Sequence, residues 1–173
     1  MRDAGHILGS AIIELWLQEN GRETKFVFTG DLGRIDRPIV NDPTLIEEAD
    51  FLGIESTYGN RFHDGAVDDN EVLLEKAIND TFRCGGNVVI PAFAVDRTQD
   101  LLLTLNKMID EGKISPKSVY VDSPLAIAAT EIFCKYPHYF DQETTEFMED
   151  YGSCPFILPN LNFSRTAEES IAL

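Results

Sequence analysis

Three short segments near the start of the chain carry side chains suited to metal chemistry. Asp3-Ala4-Gly5-His6-Ile7-Leu8-Gly9-Ser10-Ala11 presents an imidazole beside glycine, and Phe28-Thr29-Gly30-Asp31-Leu32-Gly33-Arg34 presents a carboxylate in a similar setting. A third segment, Gly53-Ile54-Glu55-Ser56-Thr57-Tyr58-Gly59, ends another apolar run with a second carboxylate. A nitrogen donor and an oxygen donor held at rigid strand ends are what a metal-dependent hydrolase needs. His6 alone would pass for a structural histidine, and Asp31 alone for a turn former. Their joint occurrence at the ends of predicted strands is what makes them candidates.

The elements that must position them follow from local pattern. Residues 10–17 are rich in branched and aromatic side chains and read as a strand. Asn20-Gly21 suits a tight turn with positive φ, and 24–29 reads as the returning strand. Residues 49–55 read as a further short strand after a loop with two prolines. The character changes near residues 60–67, where we place a boundary between a hairpin-rich, antiparallel part (1–62) and an α/β part (63–173). In the latter, Asp69 is a candidate N-cap for a helix to Arg83 whose apolar face is Val72, Leu73, Ala77, Ile78 and Phe82. Residues 87–91 read as a buried strand. Asp96-Arg97-Thr98-Gln99 has the form of a capping box opening a helix to about Glu111. Val119-Tyr120-Val121 reads as a strand. Ser123-Pro124 reads as an N-cap followed by proline at N1, opening a helix with Leu125, Ile127, Ala128 and Ile132 on its apolar face. Thr166-Ala167-Glu168-Glu169 is a second capping box. Such alternation predicts parallel βαβ units.

Bulk properties narrow the possibilities. The 173 residues are 43% hydrophobic with 11 Phe, enough for a buried core in an ordinary domain. No run approaches the roughly 18 apolar residues of a membrane span, and Met1-Arg2-Asp3 leads into the motif with no apolar leader. Cys84, Cys134 and Cys154 are widely spaced and odd in number, which predicts reduced thiols in a cytoplasmic protein. The net charge of −16 argues against binding nucleic acid by bulk attraction. It leaves room for phosphate contacts through a metal and a few arginines. Arg97, opening a helix after a strand, either contacts such a phosphate or pairs with Asp100. His63 and His138 read as surface residues.

Asp3–Ala11, Phe28–Arg34 and Glu55–Gly59 resemble two metal-binding motifs and the first insert-specific motif of metallo-β-lactamase-fold nucleases of the β-CASP group. That group includes ribonuclease J and the endonuclease subunit of the eukaryotic cleavage and polyadenylation specificity factor. Pro91–Gln99, Val121–Ala126 and Phe163–Ser170 resemble the β-CASP insert. The resemblance implies an α/β fold: the later part of a metallo-β-lactamase αββα half, then an incomplete, parallel-sheet β-CASP insert. It implies His6 as a zinc ligand, Asp31 as the bridge of a two-zinc site, and Glu55 as the group orienting a proton-donating histidine. It implies RNA as substrate and Arg97 as a phosphate contact.

The family's His-x-His-x-Asp-His cluster is absent, and so are its later histidine motifs; Asp96 also stands where the family often has Gly or Glu. The expectation is therefore a fragment of a zinc-dependent RNA-cleaving hydrolase, inactive by itself, with no membrane association. The alternative is a non-catalytic β-CASP-like protein that binds RNA or another protein. A hydrolase of small esters or thioesters is disfavoured by the insert segments. Exposed strand edges in 1–62 suggest a possible homodimer.

Overall fold

Asn20 and Gly21 have φ of 50° and 75°, the paired left-handed conformation of a two-residue hairpin turn. They join β2 (Ala11–Glu19) to β3 (Arg22–Phe28), antiparallel with Glu19 opposite Arg22. The computed structural model describes residues 1–61 and 68–173, without the side chains of 68 and 69. Contacts divide the chain into two units, Met1–Phe62 with Pro137–Glu146, and His63–Tyr136 with Phe147–Leu173.

The first unit is built on a four-stranded sheet in the order β1-β2-β3-β4, with β1 at Arg2–Asp3 and β4 at Phe51–Gly53. β1 and β3 both run antiparallel to β2, but β4 is parallel to β3, so the sheet is mixed and not wholly antiparallel as expected. Side chains alternate between its faces. Ile12 and Val27 point to one face and form a core with Ala4, against which Leu32 and Ile46 pack. Residues 137–146 join this unit through a backbone bridge between Val40 and Phe140. The Asp141 amide donates to the Ile39 carbonyl at 2.8 Å, and the Ile39 amide donates to Thr144 Oγ1 at 3.2 Å. Nothing in the local pattern announces that pairing across a hundred residues.

The second unit contains α1 (Asp68–Arg83), α2 (Arg97–Asp110), β5 (Val119–Val121), α3 (Pro124–Lys135), β6 (Leu161–Phe163) and α5 (Ala167–Ile171). α4 (Gln142–Tyr151) runs from the first unit into the second. β5 and β6 pair in parallel. Ile78, Met108 and Ile114 form a core with Leu74, Val88, Leu105 and Ile109 around it. Phe133 meets Phe156 edge to face, centroids 5.7 Å apart. Ser123 caps α3 by accepting from the Ala126 amide at 3.2 Å. Thr166 caps α5 by accepting from Glu169 N–H, while Glu169 returns a carboxylate oxygen to the Arg165 amide.

Five expectations need correction here. Residues 87–91 form no strand: no described chain pairs with them, and Val89 is 88% exposed. Asp69 lies inside α1, not at its cap. On α1 only Ile78 of the predicted face is buried, with Leu74 beside it, because the helix turns that stripe toward α2. On α3 Ile127 is buried but Leu125, Ala128 and Ile132 are exposed; the inward face is Ala126, Ile127, Ala129, Thr130 and Phe133. Cys134 and Cys154 are joined in a disulfide, since α3 and the turn after α4 bring together residues 20 apart in sequence; Cys84 is free.

Candidate functional site

The His6 loop is shaped by its own serine. Ser10 Oγ accepts from the amides of His6 (3.1 Å) and Ile7 (3.3 Å), and the Ser10 amide donates to the Ile7 carbonyl at 3.0 Å. Arg37 Nη1 donates to the His6 carbonyl at 3.2 Å. These bonds fix the main chain on both sides of the imidazole, and the ring itself makes no hydrogen bond among the described residues.

The Asp31 loop rests directly on it. The Gly33 amide donates to the Ala4 carbonyl at 2.8 Å. A Cβ on Gly33 would stand 1.5 Å from the Gly5 carbonyl oxygen and 2.7 Å from the His6 nitrogen, so only glycine fits this approach. The two segments singled out for chemistry are therefore in main-chain contact. Asp31 is exposed, and its carboxylate makes no hydrogen bond or ion pair among the described residues.

Glu55 ties the third segment to the second. Its Oε1 accepts from the Leu32 amide at 2.9 Å and its Oε2 from the Thr57 amide at 3.3 Å, while its own amide donates to Thr29 Oγ1. The Leu32 N–H, then the Thr57 hydroxyl and amide, hold the Glu55 carboxyl below the ordinary glutamate range. The nearby His6 ring adds a smaller pull. Glu55 is thus an acceptor already in use, clamping the loop that carries Asp31. Ser10, Thr29, Gly33, Arg37 and Thr57 were not singled out from sequence. Ser10, Thr29, Gly33 and Thr57 lie inside the quoted motifs, but only three-dimensional contact reveals their work.

Arg97 belongs to the second unit. It opens α2, and its Nη1 pairs with Asp100 Oδ2 at 2.7 Å. The preceding Asp96 does not close a capping box: it is buried at φ 68°, with no side-chain bond to the helix start. The left-handed backbone carries its side chain away from the N2 and N3 amides that a cap must reach. The Thr98 hydroxyl donates to the Phe93 carbonyl at 2.8 Å instead.

As a zinc centre the donor set is short. Among the described residues no three His, Cys, Asp or Glu side chains converge as metal ligands. Catalytic zinc takes about three ligands from protein. His6 and Asp31 would supply two, and Glu55 is engaged with main-chain donors. This chain's described residues do not fit a complete metal centre. Among them, too, no helix is long and apolar enough to cross a membrane.

Residues 98–173 match the Beta-Casp domain. The chain is 37% identical over 150 residues to an RNase J-like protein of Methanocaldococcus jannaschii, covering 86% of this chain and 34% of that relative. It is 34% identical over 172 residues to Ribonuclease TTHA0252 of Thermus thermophilus, covering 98% of this chain and 38% of the relative. It is also 34% identical over 160 residues to Transcription termination factor FttA of Methanosarcina mazei, covering 90% and 24%. The chain thus spans between a quarter and two fifths of the length of these curated relatives. With the Beta-Casp domain matched in its second half and relatives aligned across nearly all of it, the chain belongs to the β-CASP family.

Proposed function

We propose that this chain is part of a zinc-dependent hydrolase that cleaves RNA phosphodiester bonds, with residues 1–62 forming part of a metallo-β-lactamase domain. The observation that carries the reading is the locking of the His6 and Asp31 loops through Gly33, with both side chains left free. A zinc pair, when bound, supplies hydroxide near neutral pH and stabilises attacking and leaving oxygens. In this reading His6 and Asp31 are two of its donors, and the others come from polypeptide outside this chain. Glu55 holds the Asp31 loop in place and is a positioning residue. Arg97 meets a substrate phosphate by exchanging its Asp100 partner. The chain alone neither holds a zinc pair nor cleaves RNA.

Two relatives are named as ribonucleases, which supports RNA as the substrate. The compartment we propose is the cytoplasm, where the Cys134–Cys154 bond would have to resist the glutathione pool. The test is cleavage of end-labelled RNA by the longer protein that contains this chain. His6→Ala and Asp31→Asn should each lower the rate by about a hundredfold or more, since even partners of metal ligands are worth 10–100-fold. Cleavage unchanged in both variants would overturn the reading. RNA bound but never cleaved by the unaltered longer protein would favour a binding role, which the incomplete donor set also suits.

A further inference from the structure

The turn after the Asp31 loop holds a conformation that its residue type resists. Ile39 is fully buried at φ 80°, in the left-handed region where a β-branched side chain crowds its own backbone. Such a conformation persists only where its surroundings over-determine it. Here they act from 105 residues away in sequence: the Ile39 amide donates to Thr144 Oγ1 at 3.2 Å. The Ile39 carbonyl accepts from the Asp141 amide at 2.8 Å, Val40 is bridged to Phe140, and Asn41 Nδ2 donates to the Tyr139 carbonyl at 3.3 Å. Thr144 is itself buried, and its own amide donates to Asp141 Oδ1 at 2.6 Å.

The two ends of the same turn bear on the His6 loop. Arg37 Nη1 donates to the His6 carbonyl, and the Thr44 amide donates to the Asp3 carbonyl at 2.9 Å. Pro43 lies so close to Gly5 that a Cβ on Gly5 would stand 2.5 Å from Pro43 Cδ. The Asp36 amide donates to Asp42 Oδ1 at 2.9 Å and closes the turn across its base. Residues 37–44 therefore touch the start of α4 at their middle and the His6 loop at both ends. We propose that Thr144 is a positioning residue for the His6 loop: it holds Ile39 in the left-handed conformation that delivers Arg37 and Pro43 to that loop. Glycine would adopt φ 80° unaided, whereas isoleucine makes the conformation conditional on the bonds from Thr144 and Asp141. With Ile39 relaxed to ordinary backbone, the chain would leave the turn in another direction, and Arg37 and Pro43 could not both keep their places. The coupling stands on these contacts alone; its consequence for zinc rests on the reading of His6 as a metal donor.

The test is hydrogen exchange of the full chain, read amide by amide, in Thr144→Val and Thr144→Ser. Valine keeps the shape and removes the acceptor, whereas serine keeps the hydroxyl. Thr144→Val should speed exchange at Ile39 about tenfold, the effect of losing one buried hydrogen bond. The Thr44 and Ser10 amides, which bond within the His6 region, should quicken with it, and Leu103 on α2 should not change. Thr144→Ser should bring all three back toward the unaltered rates. Arg37→Ala, which cuts the last link alone, should quicken Ser10 and leave Ile39 as it was. In the longer protein of which we propose this chain is part, Thr144→Val should weaken zinc binding about tenfold and Thr144→Ser restore it. Fast exchange at Ile39 with Thr44 and Ser10 unmoved, equal loss in the serine and valine variants, or acceleration spread evenly over both units would each overturn the proposal. If Thr144→Val does not fold, Arg37→Ala decides, and an unmoved Ser10 amide would overturn it. The expected exchange pattern in a protein that binds no zinc in any form would uphold the positioning role and sink only the zinc reading.

Discussion

The two units hold their loops by different means, and the difference locates the chemistry. In the sheet unit the candidate ligands are not themselves the locks: Gly33 rests on Gly5, the Ser10 hydroxyl gathers two amides, and the Glu55 carboxylate clasps the Leu32 amide. Among the described residues the His6 ring and the Asp31 carboxylate are left with nothing to hold. In the helical unit the polar side chains are the locks. Buried Gln99 donates to Thr130 Oγ1 at 2.8 Å and to the carbonyls of Ala94 and Ala126, and buried Asn106 donates to the Pro155 carbonyl at 2.9 Å. A side chain used to hold a fold together is not free for a ligand. The proposed zinc donors, His6 and Asp31, both lie in the sheet unit.

The largest break in that contrast should come from Gly33→Ala. The added methyl cannot be accommodated against the Gly5 carbonyl without separating the two loops. Destabilisation of the sheet unit on the order of 4 kcal/mol or more is expected, read by thermal unfolding with Trp16 as the fluorescent probe of this unit. Unaltered unfolding would mean that the loops are not in contact. In the helical unit Gln99→Ala removes a fully buried amide and strands its partners, at a cost of about 2–3 kcal/mol. Hydrogen exchange should show that loss in α2 and α3. Ser123→Ala removes a single cap and should cost about 1 kcal/mol, measured by the same exchange at the first turn of α3.

The smallest effect concerns pH. Glu55 titrates below the ordinary glutamate value, chiefly because the Leu32 N–H favours its charged form. Its stabilisation is present near neutral pH and is lost as pH falls through that lowered value. The Leu32 amide resonance should follow the titration with a midpoint below about 4.3. A midpoint at or above it would sever the proposed clasp.

Local chemistry made much of this legible. Asn-Gly specifies its hairpin, Ser123-Pro124 and Thr166 announce their helices, and the motif resemblance led to the β-CASP family. What stayed hidden depends on partners distant in the chain. Val88-Val89-Ile90 has strand composition but joins no ladder among the described residues, and composition does not say whether a partner exists. Cys134 and Cys154 carry no spacing signal, and the bond of Thr144 to Ile39 spans 105 residues. At the candidate site the reactive residue types could be read directly. The clamp formed by Gly33 and Glu55 could not, because a close approach of two backbones leaves no trace in either segment alone.

The most direct test of the central claim is zinc content by mass spectrometry, measured on this chain and on the longer protein of which we propose it is part. Two donors locked in place but short of a full ligand set predict about two zinc ions in the longer protein and none in this chain. Stoichiometric zinc in this chain alone, or none in either, would contradict it.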